Sequence, residues 1–134
     1  MEDKDFTKCF VFHDMDWVQD ILHMSELGLW NMVTDKDMQN VKFYIDGTMA
    51  RLLGAKENMS PEACFEFWYK RINRGNHAYV NDVMNRIVHT GKLCEVQYTW
   101  NHPEWGDIPV RCAGRSRQLP DGRALVTGYH RNMA

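Results

Sequence analysis

A change in the spacing of the apolar residues at Gly91 constrains the fold more than any other feature of the sequence. Before this glycine, apolar residues recur at one helical face, namely Val80, Val83, Met84, Ile87 and Val88. After it, apolar and polar residues alternate over residues 94–100, as in a strand with one buried face. The sequence therefore predicts a long amphipathic helix that leads directly into an antiparallel strand.

Shorter helices are predicted before this long one. Residues 60–62, Ser-Pro-Glu, are typical of a helix start, because a hydroxyl caps the first turn and an acid lies at the positive end of the helix dipole. We expect that helix to end near residues 74–75. Asp46 is predicted to cap a shorter helix that Gly54 terminates.

Four further segments have the composition of strands. Residues 29–34 and 41–45 predict a hairpin, and residues 108–117 and 124–130 predict the last two strands. The turn at residues 101–107 is predicted to be longer than a two-residue hairpin loop. The order of one helix, two strands, three helices and three strands predicts an α+β domain with a five-stranded antiparallel sheet and helices packed on it.

An N-terminal amphipathic helix is predicted at residues 14–27, after a polar tail of residues 1–13. Its apolar side chains extend beyond the stripe that a single packing surface requires, so we expect part of the helix to pair with a second copy of the chain. The candidate dimer contact comprises Trp17, Val18, Ile21, Leu22 and Met24. The chain is thus divided into a tail and one domain, residues 14–134.

The composition excludes several classes of protein. The formal net charge is −2 and the cationic residues are scattered along the sequence, so we expect no nucleic-acid partner. No apolar run approaches the roughly 18 residues that span a bilayer, and the N-terminus lacks the pattern of a signal peptide. We therefore expect a cytoplasmic location and no membrane contact by this segment. The four cysteines include no CxxC pair, which argues against a zinc knuckle or a thioredoxin motif. Since the sequence shows no secretion signal, we expect the thiols to be reduced.

No catalytic motif is present in the sequence, and we predict that the chain is not an enzyme. It has no nucleophile elbow, no glycine-rich phosphate loop and no paired-histidine metal motif. The six histidines are dispersed and are interpreted as mostly surface or helix-end groups. His77 and His89 share one helix but lie about 120° apart around its axis, so they cannot chelate one metal ion.

Several short motifs occur in a characteristic order. Residues 28–32 read Gly-Leu-Trp-Asn-Met and residues 53–54 read Leu-Gly. Residues 110–115, Val-Arg-Cys-Ala-Gly-Arg, are followed by Pro-Asp-Gly-Arg through Thr-Gly at residues 120–128. This order, over residues 16–131, resembles the PAS domain, in particular its PAS fold 3 subgroup. Each motif is short, and it is their order that makes the likeness specific.

The resemblance implies a PAS fold and a sensory input module. Such a module binds a small ligand or a partner and signals to an attached output domain, for example a histidine kinase or a diguanylate cyclase of a bacterial regulator. The family's closing Asp-Ile-Thr is replaced at residues 130–132, and the chain is expected to be an excised input module. Two alternatives are a ligand-free dimerisation or protein-interaction module and a small enzyme of the cone-shaped isomerase type.

The resemblance also implies a cavity between the inner face of the sheet and the helices. Alternation along the strands and spacing along the helices assign to this candidate ligand pocket Trp30, Met32, Met49, Leu53, Val83, Ile87, Tyr98, Cys112 and Tyr129. These side chains either surround a small ligand or fill one another's space. We expect no haem, because His77 and His89 lie off the apolar stripe of the long helix. We expect no flavin, because Cys64 lacks the photosensory motif of the family, and no metal.

Overall fold

The structure is a computed structural model that describes residues 15–56 and 58–134, except for the side chains of Met15 and Trp17. The predicted tail, residues 1–13, and Asp14, the first residue of the predicted N-terminal helix, lie outside the described residues. The helices are α1 (Met15–Met24), α2 (Gly47–Leu53), α3 (Pro61–Lys70) and α4 (His77–Thr90), with a 3-10 helix at Arg74–Asn76. The strands are β1 (Gly28–Thr34), β2 (Val41–Ile45), β3 (Cys94–His102), β4 (Gly106–Gln118) and β5 (Ala124–Asn132).

The five strands form one antiparallel sheet in the order β2-β1-β5-β4-β3. The first and last strands of the chain lie side by side at its centre, and the helices between β2 and β3 pack on one face, which we call the inner face. Its buried side chains include Trp30, Met32, Phe43, Tyr98, Trp100, Val110, Cys112 and Val126. We call the opposite face the outer face. The predicted α+β class and five-stranded antiparallel sheet are confirmed.

Local hydrogen bonds determine where the middle helices begin and end. The Asp46 carboxylate accepts a hydrogen bond from the backbone N–H of Met49 at 2.8 Å, which caps α2. The Ser60 hydroxyl accepts one from the N–H of Ala63 at 3.1 Å, which caps α3. Gly54 ends α2 in the left-handed region, with φ of 63°. These are the caps that the sequence predicted.

The end of α3 differs from the prediction. The helix ends at Lys70 rather than near residues 74–75, because Ile72 leaves it to form an antiparallel bridge with Trp100 at the edge of β3. Backbone groups that bond to a strand cannot also continue the helical pattern. The bridge joins segments far apart in the chain, which the local spacing of apolar residues does not encode.

The turn between β3 and β4 is shorter than predicted. β3 continues to His102 and β4 begins at Gly106, which stands directly opposite in the register. The Nδ1 atom of His102 accepts hydrogen bonds from the backbone N–H groups of Glu104 and Trp105 at 3.0 and 3.1 Å. Gly106 has a φ of 73°, which allows the tight reversal. A side chain therefore satisfies the turn amides, and the strands extend into the predicted loop.

The Trp30 indole packs against two glycines of the sheet. Gly114 and Gly128 are paired across β4 and β5, and Gly128 is also the β1 partner of Trp30. A Cβ atom on Gly128 would overlap the indole ring, and one on Gly114 would lie 2.9 Å from the ring carbon Cη2. The indole thus packs against two residues that have no side chain, in the middle of the inner face.

Candidate functional site

The described interior contains one small cavity between the inner face and the helices. Its volume is about 30 Å³. The lining is almost entirely apolar or aromatic and comprises Trp30, Met32, Phe43, Met49, Trp68, Val80, Val83, Met84, Ile87, Val96, Cys112 and Ala113. A volume of this size accommodates about one water molecule. The interior is therefore closely packed in this conformation.

A series of buried hydrogen bonds includes two residues that line this cavity, Trp68 and Cys112. The Trp68 indole on α3 donates to the Tyr98 hydroxyl on β3 at 2.8 Å. That hydroxyl lies 3.2 Å from the Cys112 sulfur on β4, which in turn lies 3.1 Å from Nδ1 of His130 on β5. All four residues are buried. The chain links one helix to three neighbouring strands.

The chemistry of these four side chains determines which group donates and which accepts in each hydrogen bond. An indole N–H can only donate, so the Tyr98 oxygen accepts the first bond and its own proton is directed at the Cys112 sulfur. In the arrangement that uses every proton, the thiol donates to Nδ1 of His130, and the imidazole proton resides on Nε2. This Nε2 atom and the indole Nε1 of Trp30 are buried and have no hydrogen-bond partner among the described residues. Both are donors.

Burial keeps the titratable members of the chain neutral. It raises the pKa of the Tyr98 phenol well above its usual value, with a smaller contribution from Cys112, and raises the pKa of the Cys112 thiol to about 12. It lowers the pKa of the His130 imidazole to about 4. A thiol with this pKa is ionised to only about one part in 10⁵ at pH 7. The Cys112 and His130 pair is thus a neutral hydrogen-bonded contact and not an activated nucleophile.

Eight of the nine residues predicted for the pocket are buried in the core. Trp30, Met32, Met49, Val83, Ile87 and Cys112 line the cavity. Leu53 and Tyr98 are buried in the same core but do not line the cavity. Whether a ligand binds among these residues stays a prediction.

The assignment of Tyr129 to the pocket is wrong. The register pairs Cys112 with His130, so His130 shares the inner face, whereas Tyr129 lies on the outer face with its hydroxyl 3.4 Å from the Glu95 carboxylate. The sequence did indicate the correct face of β5. Ala124, Val126 and Gly128 are small or apolar and recur at every second residue, and His130 continues this spacing on the same face. Sequence reasoning missed His130 and did not connect Trp68 with Tyr98.

Two histidines are exceptions to the prediction that these residues are mostly surface or helix-end groups. His130 is fully buried and His102 is 2% exposed. The His102 ring stacks on Trp105, with ring centroids 3.8 Å apart, while its Nδ1 atom holds the β3–β4 turn. His77 and His89, considered above for haem, do not line the cavity; His77 packs edge-on against Tyr69.

The described residues show few features of any other kind of site. They contain no group of three or more histidine, cysteine, aspartate or glutamate side chains arranged to hold a metal ion. None of their helices is long and apolar enough to cross a membrane. An open groove of about 700 Å³ lies beside α3, but its charged residues are engaged with one another or with neighbours, as in the 2.9 Å pair of Lys70 with Glu66.

Comparison with known proteins identifies the fold. No protein-family model and no curated relative matches the sequence. Among solved structures, a domain of the putative light and redox sensing histidine kinase from Haloarcula marismortui is similar with a TM-score of 0.64 and 18% identity, over 87% of this chain and 99% of that one.

Two further structures agree. The N-terminal domain of a diguanylate cyclase with PAS/PAC sensor from Marinobacter aquaeolei has a TM-score of 0.57 and 16% identity, over 78% of this chain and 94% of that one. The Drosophila melanogaster Cycle PAS-B domain with bound ethylene glycol has a TM-score of 0.60 and 10% identity, over 78% and 99%. Identities this low establish a shared architecture only. The chain therefore has the PAS fold.

Proposed function

We propose that this chain is a non-catalytic sensory input module, whose interior binds a small, mostly apolar ligand and which passes the resulting change to an attached output domain. Two solved structures of the same fold are parts of a histidine kinase and of a diguanylate cyclase, which supports an output domain of that kind. A cytoplasmic location accords with such a role. The neutral, hydrogen-bonded state of Cys112 and His130 supports a binding site over the isomerase-type enzyme.

One observation carries the proposal: Trp30, which lines the cavity, has a buried hydrogen-bond donor with no acceptor among the described residues. The indole of Trp68 and the thiol of Cys112 are engaged in the directed chain, whereas Nε1 of Trp30 has no partner among the described residues. An unpaired buried donor costs about 1–3 kcal/mol, and a ligand acceptor removes that cost. The ligand we propose is therefore an apolar molecule with one acceptor oxygen or nitrogen.

The cavity must expand to accept such a molecule. Met32, Met49 and Met84 line it, and methionine side chains repack at low cost because they are unbranched and flexible. The Cycle PAS-B domain, which has the same fold, was solved with bound ethylene glycol, a molecule of four heavy atoms. A ligand of this order of size needs only side-chain movement.

Matched probes test this proposal. Acetone and isobutene have the same shape, but only acetone carries an acceptor oxygen. We expect acetone to raise the thermal midpoint of the chain more than isobutene, and Trp30→Phe, which retains an aromatic ring without the N–H, to abolish the difference. Equal responses to both probes in the wild-type chain would contradict an acceptor-selective pocket. Native mass spectrometry of the purified chain would then identify any molecule retained from the cell.

We also propose that the chain forms a homodimer through α1. Ile21 and Met24 are 45% and 70% exposed, so the apolar side chains of this helix are only partly covered by its own domain. Trp17, whose side chain is not described, and the half-buried Val18 and Leu22 belong to the same predicted contact. The small cavity and this exposed helix together favour the second candidate function, a ligand-free interaction module.

Sedimentation equilibrium separates the two functions. The wild-type chain is expected to form a dimer at tens of micromolar, and Ile21→Ser with Met24→Ser to shift it to monomer. A wild-type monomer would refute the dimer. A dimer that shows no acceptor-selective response in the probe experiment would identify the ligand-free interaction module.

A further inference from the structure

Cys112 and His130 bring two metal-binding atoms into contact in the core. The Cys112 sulfur lies 3.1 Å from Nδ1 of His130, and both side chains are buried. In the arrangement described above, the thiol proton lies between the sulfur and the lone pair of Nδ1, while the imidazole proton is on Nε2. Thiolate sulfur and neutral imidazole nitrogen are both ligands of transition-metal ions. The hydrogen bond therefore holds two ligand atoms with their lone pairs directed at one another.

The separation of these two atoms suits a shared metal ion. With a metal–sulfur bond of about 2.3 Å and a metal–nitrogen bond of about 2.0 Å, the separation of 3.1 Å corresponds to an angle of about 90° at the metal. An increase of about 0.5 Å in the separation gives a nearly tetrahedral angle. Side-chain rotation achieves a change of this size. The pair can therefore bind one ion without a rearrangement of β4 and β5.

A second sulfur atom lies next to this pair. Gly28 stands opposite His130 in the register of β1 and β5, and a Cβ atom on Gly28 would lie 2.8 Å from the Met49 sulfur. The thioether thus occupies the space over a residue that has no side chain, directly beside His130. Met49 is fully buried and lines the cavity together with Cys112. Because a methionine side chain is unbranched and flexible, its sulfur can turn toward an ion bound by the pair.

The surroundings of the pair favour a soft ion with a single positive charge. Such an ion replaces the thiol proton: the S–H bond breaks, a sulfur–metal bond forms, Nδ1 of His130 donates its lone pair to the metal, and the proton leaves to solvent. The net charge of the buried site is then the same before and after binding. A divalent ion would add a positive charge in a cavity whose lining contains no charged side chain, and such a charge is costly to bury. Thiolate and thioether ligands select Cu(I).

We propose that Cys112, His130 and Met49 form a binding site for Cu(I), with Sγ, Nδ1 and Sδ as the ligand atoms. The sequence contains no local metal motif because the three ligands come from β4, β5 and α2, which are far apart in the chain. The site has only two histidine or cysteine ligands, since the third is a thioether. It goes beyond the organic ligand proposed above, and affinity for Cu(I) is measured separately from the response to acetone.

Competition with a chromogenic Cu(I) chelator, in the absence of oxygen, measures the affinity of the purified full chain. We expect wild type to bind Cu(I) more tightly than Zn(II). Cys112→Ser should weaken Cu(I) binding at least about hundredfold, and Met49→Leu about tenfold. Cys64→Ala and Met59→Leu remove a cysteine and a methionine that do not line the cavity, so these matched controls should leave the affinity unchanged. Thermal midpoints of the metal-free variants establish that each one is folded.

X-ray absorption at the copper edge identifies the ligands in a chain that retains Cys112. We expect the Cu(I)-loaded wild-type chain to show two sulfur atoms and one imidazole nitrogen around the metal. The same measurement on Met49→Leu should show one sulfur atom fewer. Exposed cysteines that capture Cu(I) would instead give sulfur ligands without an imidazole. This measurement tests the site even if Cys112→Ser does not fold.

The outcomes distinguish this inference from the proposed function. Equal Cu(I) affinity of Cys112→Ser and wild type, or a spectrum without an imidazole, would overturn the site. Zn(II) bound as tightly as Cu(I) would overturn the selection by charge. An unchanged affinity of Met49→Leu would remove Met49 from the ligand set. A chain that responds selectively to acetone but does not bind Cu(I) would overturn this inference alone.

Discussion

The polar groups on the inner face of the sheet differ from those on the outer face in burial, charge and hydrogen bonding. On the inner face, Trp68, Tyr98, Cys112 and His130 are buried, neutral and bonded to one another, and the unpaired groups are N–H donors. On the outer face, the charged groups are in contact with solvent, and Arg115, Arg117 and Arg131 form no ion pair among the described residues. The inner face therefore suits a small molecule with an acceptor atom, and the outer face suits contact with solvent.

The largest expected difference between the faces concerns their aromatic residues. Trp30→Ala should destabilise the domain by roughly 3–5 kcal/mol, because the indole fills the centre of the inner face above two glycines. Tyr44→Ala removes a half-exposed ring from the outer side of β2 and should cost less than about 1 kcal/mol. Urea unfolding of both variants measures the contrast. Similar losses for the two would mean that the faces are not energetically distinct.

The free energy of unfolding should depend on pH because His130 is buried in the folded chain. Its pKa in the folded chain is about 4, against an ordinary value of 6.5, so the unfolded chain binds the proton more tightly. The stabilisation is complete above pH 6.5 and is lost as the pH falls toward 4, by about 3 kcal/mol at 1.36 kcal/mol per pKa unit. Between pH 7 and pH 4, the free energy of unfolding of the wild type should fall by about this amount more than that of His130→Gln. Parallel curves for the two would place His130 in solvent.

A methyl group beside the Trp30 indole should have a smaller effect. Gly128→Ala places a Cβ atom against the ring and the Ala113 carbonyl oxygen, and should destabilise the domain by about 1–3 kcal/mol through overpacking. Gly47→Ala at the start of α2 meets no atom within 4 Å and is the matched control. We expect the thermal midpoint to fall in Gly128→Ala and not in Gly47→Ala. A Gly128→Ala chain as stable as wild type would show that the Trp30 indole does not pack against Gly128.

The smallest effect is expected on the outer face. Arg115→Ala should change the free energy of unfolding by less than about 0.5 kcal/mol, because the side chain is exposed and forms no ion pair among the described residues. A large loss of stability measured below the dimer dissociation constant would mean that the arginine acts within its own chain.

Sequence reasoning succeeded where contacts are local and failed where they are distant. The caps at Asp46 and Ser60 join residues three apart, so their side-chain chemistry was sufficient to predict the helix starts. The early end of α3 depends on the bridge from Ile72 to Trp100, and the burial of His130 depends on the register of β5 against β4. Neither can be obtained from spacing within a single segment.

The same distinction applies to the candidate site. Alternation placed Trp30, Met32 and Cys112 on the inner face, because a strand has two faces and the apolar one is buried. It failed at Tyr129, because an aromatic side chain alone does not show which face of a strand is buried. The register of β5 against β4 places the next residue, His130, on the inner face. The hydrogen-bond chain joins four separate elements and became visible only in three dimensions.

The most direct test of the account is the indole N–H resonance of Trp30 in a nitrogen-15-labelled chain. The account predicts that acetone shifts this resonance in a saturable manner, whereas isobutene does not produce the shift of a new hydrogen bond. The resonance of Trp100 is the internal control, because its Nε1 already donates to the Trp68 carbonyl at 2.9 Å. If the Trp30 resonance moves only linearly with acetone, like that of the exposed Trp105, the inner face has no acceptor-binding site and the proposed ligand pocket is wrong.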